Sequence, residues 1–359
     1  MIESRNIEKE RRRSRGAGSN ETGRFERLSR VEIDDGWERE GEAAFKTEVR
    51  LEVSRSAITK NTSPDVSFDR SINPYRGCEH GCVYCFARPS HAWLGMSPGL
   101  DFETRLVARP GIGAVLAREL GRKSYRPATI AIGTNTDPYQ PIEGKMRVMR
   151  EVLEVLWAHR HPVGIVTKGT LIERDLDLLA PMAAEGLVHV GVSVTTLDRN
   201  LARRMEPRCP TPARRLETIR ALSAAGVPVR VMASPMIPAL TDAELENILT
   251  AGREAGARAA SWIMLRLPLE VSALFRDWLG EHYPERAARI MGHLREMHGG
   301  KDYDPTFGKR MRGEGAYAEL IARRFEVAKA RLGFEDRLPA LALDKFRVPR
   351  EPSAQLELF

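Results

Sequence analysis

The sequence predicts an α/β protein built as a partial (β/α)6 barrel of the TIM-like kind. Between residues 66 and 268, short β-rich runs alternate with amphipathic helical patterns. The runs are short and largely apolar, as strands of a parallel sheet covered by helices must be. There are six of them, which suits a partial barrel better than a closed eight-unit one. In chain order the strand candidates are residues 66–75, 129–132, 163–166, 188–192, 229–232 and 261–265. The clearest intervening helix carries Met149, Val152, Leu153 and Leu156 at i, i+3, i+4 and i+7, one apolar stripe. Another, over 212–225, runs into Gly226, a natural helix stop before the next strand. Spacing cannot order the strands, so a doubly wound sheet is the competing arrangement.

Four segments follow from composition. Residues 1–48 read as a disordered basic arm: Glu8-Lys9-Glu10-Arg11-Arg12-Arg13 and Gly16-Ala17-Gly18 leave no apolar period. It is either a solvated tail or an arginine arm laid on phosphates. Residues 49–268 form the core. Residues 269–335 read as a helical, basic extension with Lys301, Lys309, Arg310, Arg312, Arg323, Arg324 and Lys329, and 336–359 as a tail. The formal net charge of +7 suits an anionic partner, unless the excess is spread evenly. No apolar run approaches the ~18 residues of a membrane helix. Met1-Ile2-Glu3-Ser4-Arg5 lacks the apolar core of a secretion signal. A cytoplasmic protein with no membrane partner is therefore expected.

Four cysteines are too few for a disulfide scaffold, and three of them cluster as Cys78-Glu79-His80-Gly81-Cys82-Val83-Tyr84-Cys85. Thiolates are the usual ligands of Fe–S clusters. Three on one loop can grip three irons of a 4Fe–4S cubane and leave the fourth open. The amino and carboxylate groups of S-adenosylmethionine can chelate that iron. Gly77 and Gly81 tolerate the backbone angles so tight a loop needs. The alternative is zinc, with Cys209 or His80 as fourth ligand. Structural zinc sites usually arrive as two ligand pairs, and no second pair exists here.

The C-x3-C-x2-C spacing, with an aromatic before the last cysteine, resembles the radical S-adenosylmethionine superfamily over about residues 66–268. The Asn73-Pro74-Tyr75-Arg76-Gly77-Cys78 opening and the run Gly133 to Pro141 resemble its spore photoproduct lyase-like branch. That resemblance implies a partial (β/α)6 barrel with its site at the C-terminal strand ends. It places Tyr84 against the adenine and Thr134, Asn135, Thr136 and Asp137 near the methionine amino group. Thr167 and Lys168 follow the third strand, where Lys168 would pair with the methionine carboxylate. Ser193 would bond the ribose, and Arg215 would approach the carboxylate, with Arg214 an equal choice. Glu143 reads as a helix N-terminal carboxylate or a supporting group. The photoproduct lyases use a cysteine near the end of the second strand as hydrogen-atom donor, and residues 130–141 have none. Tyr139 is the catalytic candidate there, as a radical relay, unless it packs or hydrogen-bonds. Cys209 is a spare thiol that nothing in the sequence places in the site.

The chain ends Gln355-Leu356-Glu357-Leu358-Phe359, which resembles the peptide by which bacterial polymerases and repair proteins bind the sliding clamp. The alternative is a tail that packs Leu358 and Phe359 on its own domain. The expected function is reductive cleavage of S-adenosylmethionine to methionine and a 5′-deoxyadenosyl radical. The electron would come from a donor such as flavodoxin or ferredoxin, and the substrate would be a nucleic acid. Its rivals are a radical enzyme acting on a protein, RNA or small metabolite, and a non-catalytic Fe–S protein that binds DNA and the clamp.

Overall fold

The computed structural model describes residues 7, 12, 14–26 and 45–349. The clamp-like peptide and the rest of the arm lie outside them. Ten strands are described: β1 (Glu48–Leu51), β2 (Ile58–Lys60), β3 (Arg70–Ile72), β4 (Tyr75–Arg76), β5 (Arg105–Ala108), β6 (Ile130–Ile132), β7 (Val163–Thr167), β8 (Val188–Ser193), β9 (Val229–Met236) and β10 (Ala259–Met264). Seven form one sheet in the order β10-β9-β8-β7-β6-β3-β2. Every neighbouring pair from β3 to β10 is parallel, and only β2 runs antiparallel, on β3. Six parallel strands in unbroken chain order give a singly wound, open barrel wall. A doubly wound sheet would reverse its order, so that alternative falls.

The helices that close the units are α1 (Asp101–Thr104), α2 (Ile112–Leu120), α3 (Glu143–Met146), α4 (Val148–Ala158), α5 (Leu176–Ala184), α6 (Arg199–Met205), α7 (Pro212–Ala224) and α8 (Leu245–Glu254). On α4 the stripe Met149, Val152, Leu153 and Leu156 is fully buried, as its period requires. α7 begins at Thr211, whose hydroxyl accepts from the Arg214 N–H, and ends before Gly226 at φ +79°. The extension beyond the sheet is helical as expected: α9 (Glu270–His282), α10 (Pro284–Met297) and α11 (Ala316–Arg331). No helix among the described residues is long and apolar enough to cross a membrane.

Two expectations need correction. The strand read over 66–75 is split. β3 ends at Ile72, Pro74 has no N–H to give a ladder, and Tyr75–Arg76 leave the main sheet to pair antiparallel with β5. The arm is not disordered throughout, because residues 14–26 pack on the core. Glu103, fully buried, accepts from the N–H groups of Gly16 (2.9 Å) and Ala17 (2.8 Å) and from Arg88 (2.5 Å). A Cβ on Gly16 would meet the Gly81 carbonyl oxygen at 1.8 Å, so only glycine lets the arm lie against the cysteine loop.

Candidate active site

The cysteine loop follows β4 and turns at Gly77 (φ +74°) and Gly81 (φ +67°), the two positions where glycine was expected to be needed. Arg88 is buried inside the turn. Its guanidinium donates to the carbonyls of Cys82 (3.0 Å), Gly81 (3.3 Å), Pro98 (3.1 Å) and Gly99 (3.0 Å). Gln140, from the run after β6, spans to the same loop: its carbonyl accepts from Glu79 N–H at 2.8 Å, and its amide donates to the Gly77 carbonyl at 3.2 Å. The polar segment after β6 therefore supports the thiol loop.

Cys78, Cys82 and Cys85 line one open cavity at the C-terminal strand ends. Its walls include Tyr84, Thr134, Asn135, Thr136, Asp137, Thr167, Lys168 and Ser193, every expected cofactor residue except Arg215. Apolar side chains of Val166, Met232, Ile263, Met264 and Leu265 also line it. Gly133, at φ +92°, makes the close passage possible, since a Cβ there would lie 1.9 Å from the Val166 carbonyl oxygen.

Asp137 is fully used inside the protein. It accepts from Tyr139 N–H (2.9 Å), Thr167 hydroxyl (2.6 Å) and Lys168 N–H (2.7 Å), and His80 Nδ1 lies 3.3 Å away. Burial opposes its charge, but His80 and these donors outweigh that and hold its pKa down at about 2. Thr167 in turn accepts from Gly169 N–H at 2.8 Å. These two side chains tie the ends of β6 and β7 together. Among the cavity groups, the Ser234 hydroxyl is buried without a hydrogen-bond partner.

Beneath Tyr84 lies a residue the sequence reading passed over. Glu206 is 2% exposed, follows α6, and accepts from the Tyr84 hydroxyl, the Arg215 guanidinium and the Thr195 hydroxyl (2.8 Å). Lys168 Nζ stands 3.8 Å from it and 5.9 Å from the centre of the Tyr84 ring. Burial works against the Glu206 charge, but Arg215 and Lys168 win, and its pKa sits at about 2. Only the pattern of a carboxylate between an apolar helix end and a proline, Met205-Glu206-Pro207, marked this position.

Two candidates lie elsewhere. Arg215 points away from the cavity: it donates to Glu206, to the Ser193 carbonyl at 3.2 Å and to the Pro210 carbonyl at 2.9 Å. Arg214 pairs with Glu173 at 2.7 Å, so neither arginine lines the cavity. Tyr139 is buried, donates to Asp175 at 3.2 Å and is not among the residues that line the cavity. Glu143, the first residue of α3, bonds Tyr75 and Arg174 beneath the loop. Cys209 is closer than its sequence position suggested: its Sγ is 3.8 Å from Cys82 Sγ. It lines a separate cavity with Arg199, Arg203 and Glu206.

The donor set fits a cluster with S-adenosylmethionine beside it. Three thiols share one wall, a buried hydroxyl is left free, and the rest of the lining joins polar groups at the strand ends to apolar side chains. Among the described residues, no three His, Cys, Asp or Glu side chains converge as a single ion would need. Fold and site together define an open (β/α)6-barrel protein with a three-thiol cavity at the mouth of its sheet.

Residues 72–251, about half of the chain, match the model of the Radical SAM superfamily, and the chain belongs to that superfamily. Its cofactors are accordingly a 4Fe–4S cluster and S-adenosylmethionine. An uncharacterised protein of Mycobacterium tuberculosis is 38% identical over 79% of this chain and 81% of its own length. One of Methanocaldococcus jannaschii is 27% identical over 60% and 76%. Among solved structures, spore photoproduct lyase complexed with dinucleoside spore photoproduct is similar in fold, with TM-score 0.57, 16% identity and 80% of each chain covered.

Proposed function

We propose that Cys78, Cys82 and Cys85 hold the 4Fe–4S cluster and that the chain is a radical S-adenosylmethionine enzyme acting on nucleic acid. The observation that carries this reading is the meeting of the three thiols with Tyr84, Thr134, Asn135, Lys168 and Ser193 on one cavity. When bound, the cluster supplies one electron to the sulfonium, which releases methionine and a 5′-deoxyadenosyl radical. Glu206 fixes the Tyr84 ring as an adenine wall by holding its hydroxyl. Lys168 keeps its proton: burial opposes the charge, but Glu206 and Cys82 outweigh it and raise its pKa. It thus offers a cation to the methionine carboxylate. The Ser193 and Ser234 hydroxyls are left for ribose, and the apolar lining keeps water from the radical. The basic balance, the spore photoproduct lyase-like fold and the clamp-like tail favour nucleic acid as substrate.

The test is 5′-deoxyadenosine release by anaerobically reconstituted protein given a reductant or reduced flavodoxin. Its absence, with a cluster that still cycles, would favour the non-catalytic DNA- and clamp-binding rival. Lys168→Ala is expected to weaken S-adenosylmethionine binding by roughly 1.5–3 kcal/mol, the worth of a charged hydrogen bond, with iron content unchanged. Equal affinity of the variant would remove Lys168 from the cofactor site.

A further inference from the structure

Arg266, two residues beyond β10, lines the same cavity as the three thiols. Among the described residues it makes no ion pair or hydrogen bond; the centre of the Phe86 ring lies 4.2 Å from the guanidinium carbon. Buried arginines elsewhere in the site are matched: Arg88 with Glu103, Arg215 with Glu206. Asp65, an acid whose charge reaches Arg266, is already taken by Arg310 at 2.5 Å and by the Gly308 N–H at 2.7 Å. Burial pushes the Arg266 pKa down, and Tyr303, Cys85 and Asp65, which favour its charge, do not offset that. A desolvated guanidinium without an anion is costly unless a ligand brings one.

The surroundings say which anion. Phe86 is 46% exposed although one face carries the guanidinium. Close by, Arg310 lies 4.7 Å from the centre of the Phe307 ring, itself 55% exposed, and Arg312 lies 4.4 Å from that of Trp262. Trp262 is buried, but Phe86 and Phe307 are exposed, and arginines beside exposed aromatics suit a strand whose phosphates meet the cations and whose bases stack on rings. A carboxylate metabolite would use the cation and leave the aromatics idle.

We propose that Arg266 and Phe86 receive one nucleotide of the substrate at the cavity mouth, the guanidinium taking its phosphate and the ring its base. This rests on the reading of the cavity as the active site and adds the residues that select a nucleotide. A paired duplex would hide its base faces, so a single-stranded or extruded nucleotide is the form that fits.

The test is fluorescence anisotropy with a labelled ten-residue oligothymidylate. The protein is reconstituted, oxidised and supplied with S-adenosylmethionine, so that nothing turns over. Unlabelled duplex and thymidine monophosphate serve as competitors. Arg266→Ala should raise the oligonucleotide Kd tenfold or more and make the log–log salt slope less negative by about 0.7, one phosphate contact on a single strand. Arg266→Lys should keep the slope and lose part of the affinity. Phe86→Ala should raise Kd about tenfold at unchanged slope, and Phe86→Trp should restore it. Arg258→Ala, at the opposite end of β10 and paired with Glu335, is the surface control. Better competition by the duplex than by the single strand would overturn the stacked-nucleotide form. Competition by the monophosphate assigns the phosphate to a free nucleotide when it equals the oligonucleotide, and to a polymer when it is weaker. Unchanged Kd and slope in Arg266→Ala would overturn the proposal, as would a loss confined to S-adenosylmethionine affinity, which would make Arg266 a cofactor residue. Failure to release 5′-deoxyadenosine would instead strike the enzymatic reading and leave these affinities standing.

Discussion

Changing any one of Cys78, Cys82 or Cys85 to alanine is expected to abolish the cluster, about four irons and four sulfides per chain after anaerobic reconstitution. The loss should be complete, because in the proposed site each thiol would be the sole protein ligand to its iron and the loop offers no substitute at the same place. His80 is turned to Asp137 at 3.3 Å. Cys209→Ala makes the sharper comparison. Its sulfur is only 3.8 Å from Cys82, yet it lines a different cavity, so iron content should survive its loss. Iron and acid-labile sulfide assays with the visible absorption spectrum decide this. Iron lost on changing Cys209, or tight zinc with no iron uptake, would refute the three-thiol assignment.

The second large effect concerns the carboxylate beneath Tyr84. Glu206→Ala is expected to destabilise the fold by about 3–5 kcal/mol, the usual result of stripping one partner from a buried ion pair. Arg215 would be left buried with only the Ser193 and Pro210 carbonyls, and the Tyr84 hydroxyl would keep only Thr195. Glu206→Gln, which retains an acceptor, should cost less. Denaturant unfolding of the three proteins measures this, and a loss below about 1 kcal/mol for the alanine variant would deny the hub role. The same group sets an acid limit. Its folded pKa of about 2 lies below the ordinary carboxylate value, so its contribution is complete above about pH 4.5 and is lost as pH falls toward 2. The wild-type stability curve should drop in that window and the Glu206→Gln curve should drop less.

Both predictions turn on contacts of very different sequence range, and that difference separates what was legible from what was not. The thiol triad is local: three cysteines within eight residues, with Gly77 and Gly81 at the left-handed angles the turn requires. The helix stripe on α4 and the apolar strands are equally local, because period and burial travel together. Strand ends could then be read as one site, since parallel βα units deliver all their C-terminal ends to one face.

Long-range placement was decided only by the tertiary structure. Strand order, which removed the doubly wound alternative, depends on pairings such as β8 with β9 that no local pattern encodes. Arg215 and Tyr139 sit at plausible distances from strand ends, yet their side chains turn to Glu206 and Asp175. Gly16 against Gly81, and Cys82 beside Cys209 across 127 positions, likewise bring together groups whose sequences carry no mark of each other. The physical reason is that periodicity reports which side of an element is buried, whereas the partner that satisfies a buried charge or hydroxyl is chosen by packing between elements. The sequence therefore determined the thiol loop and the kind of fold. The neighbours of Arg266, and the prior claim of Arg310 on Asp65, came only from the folded chain.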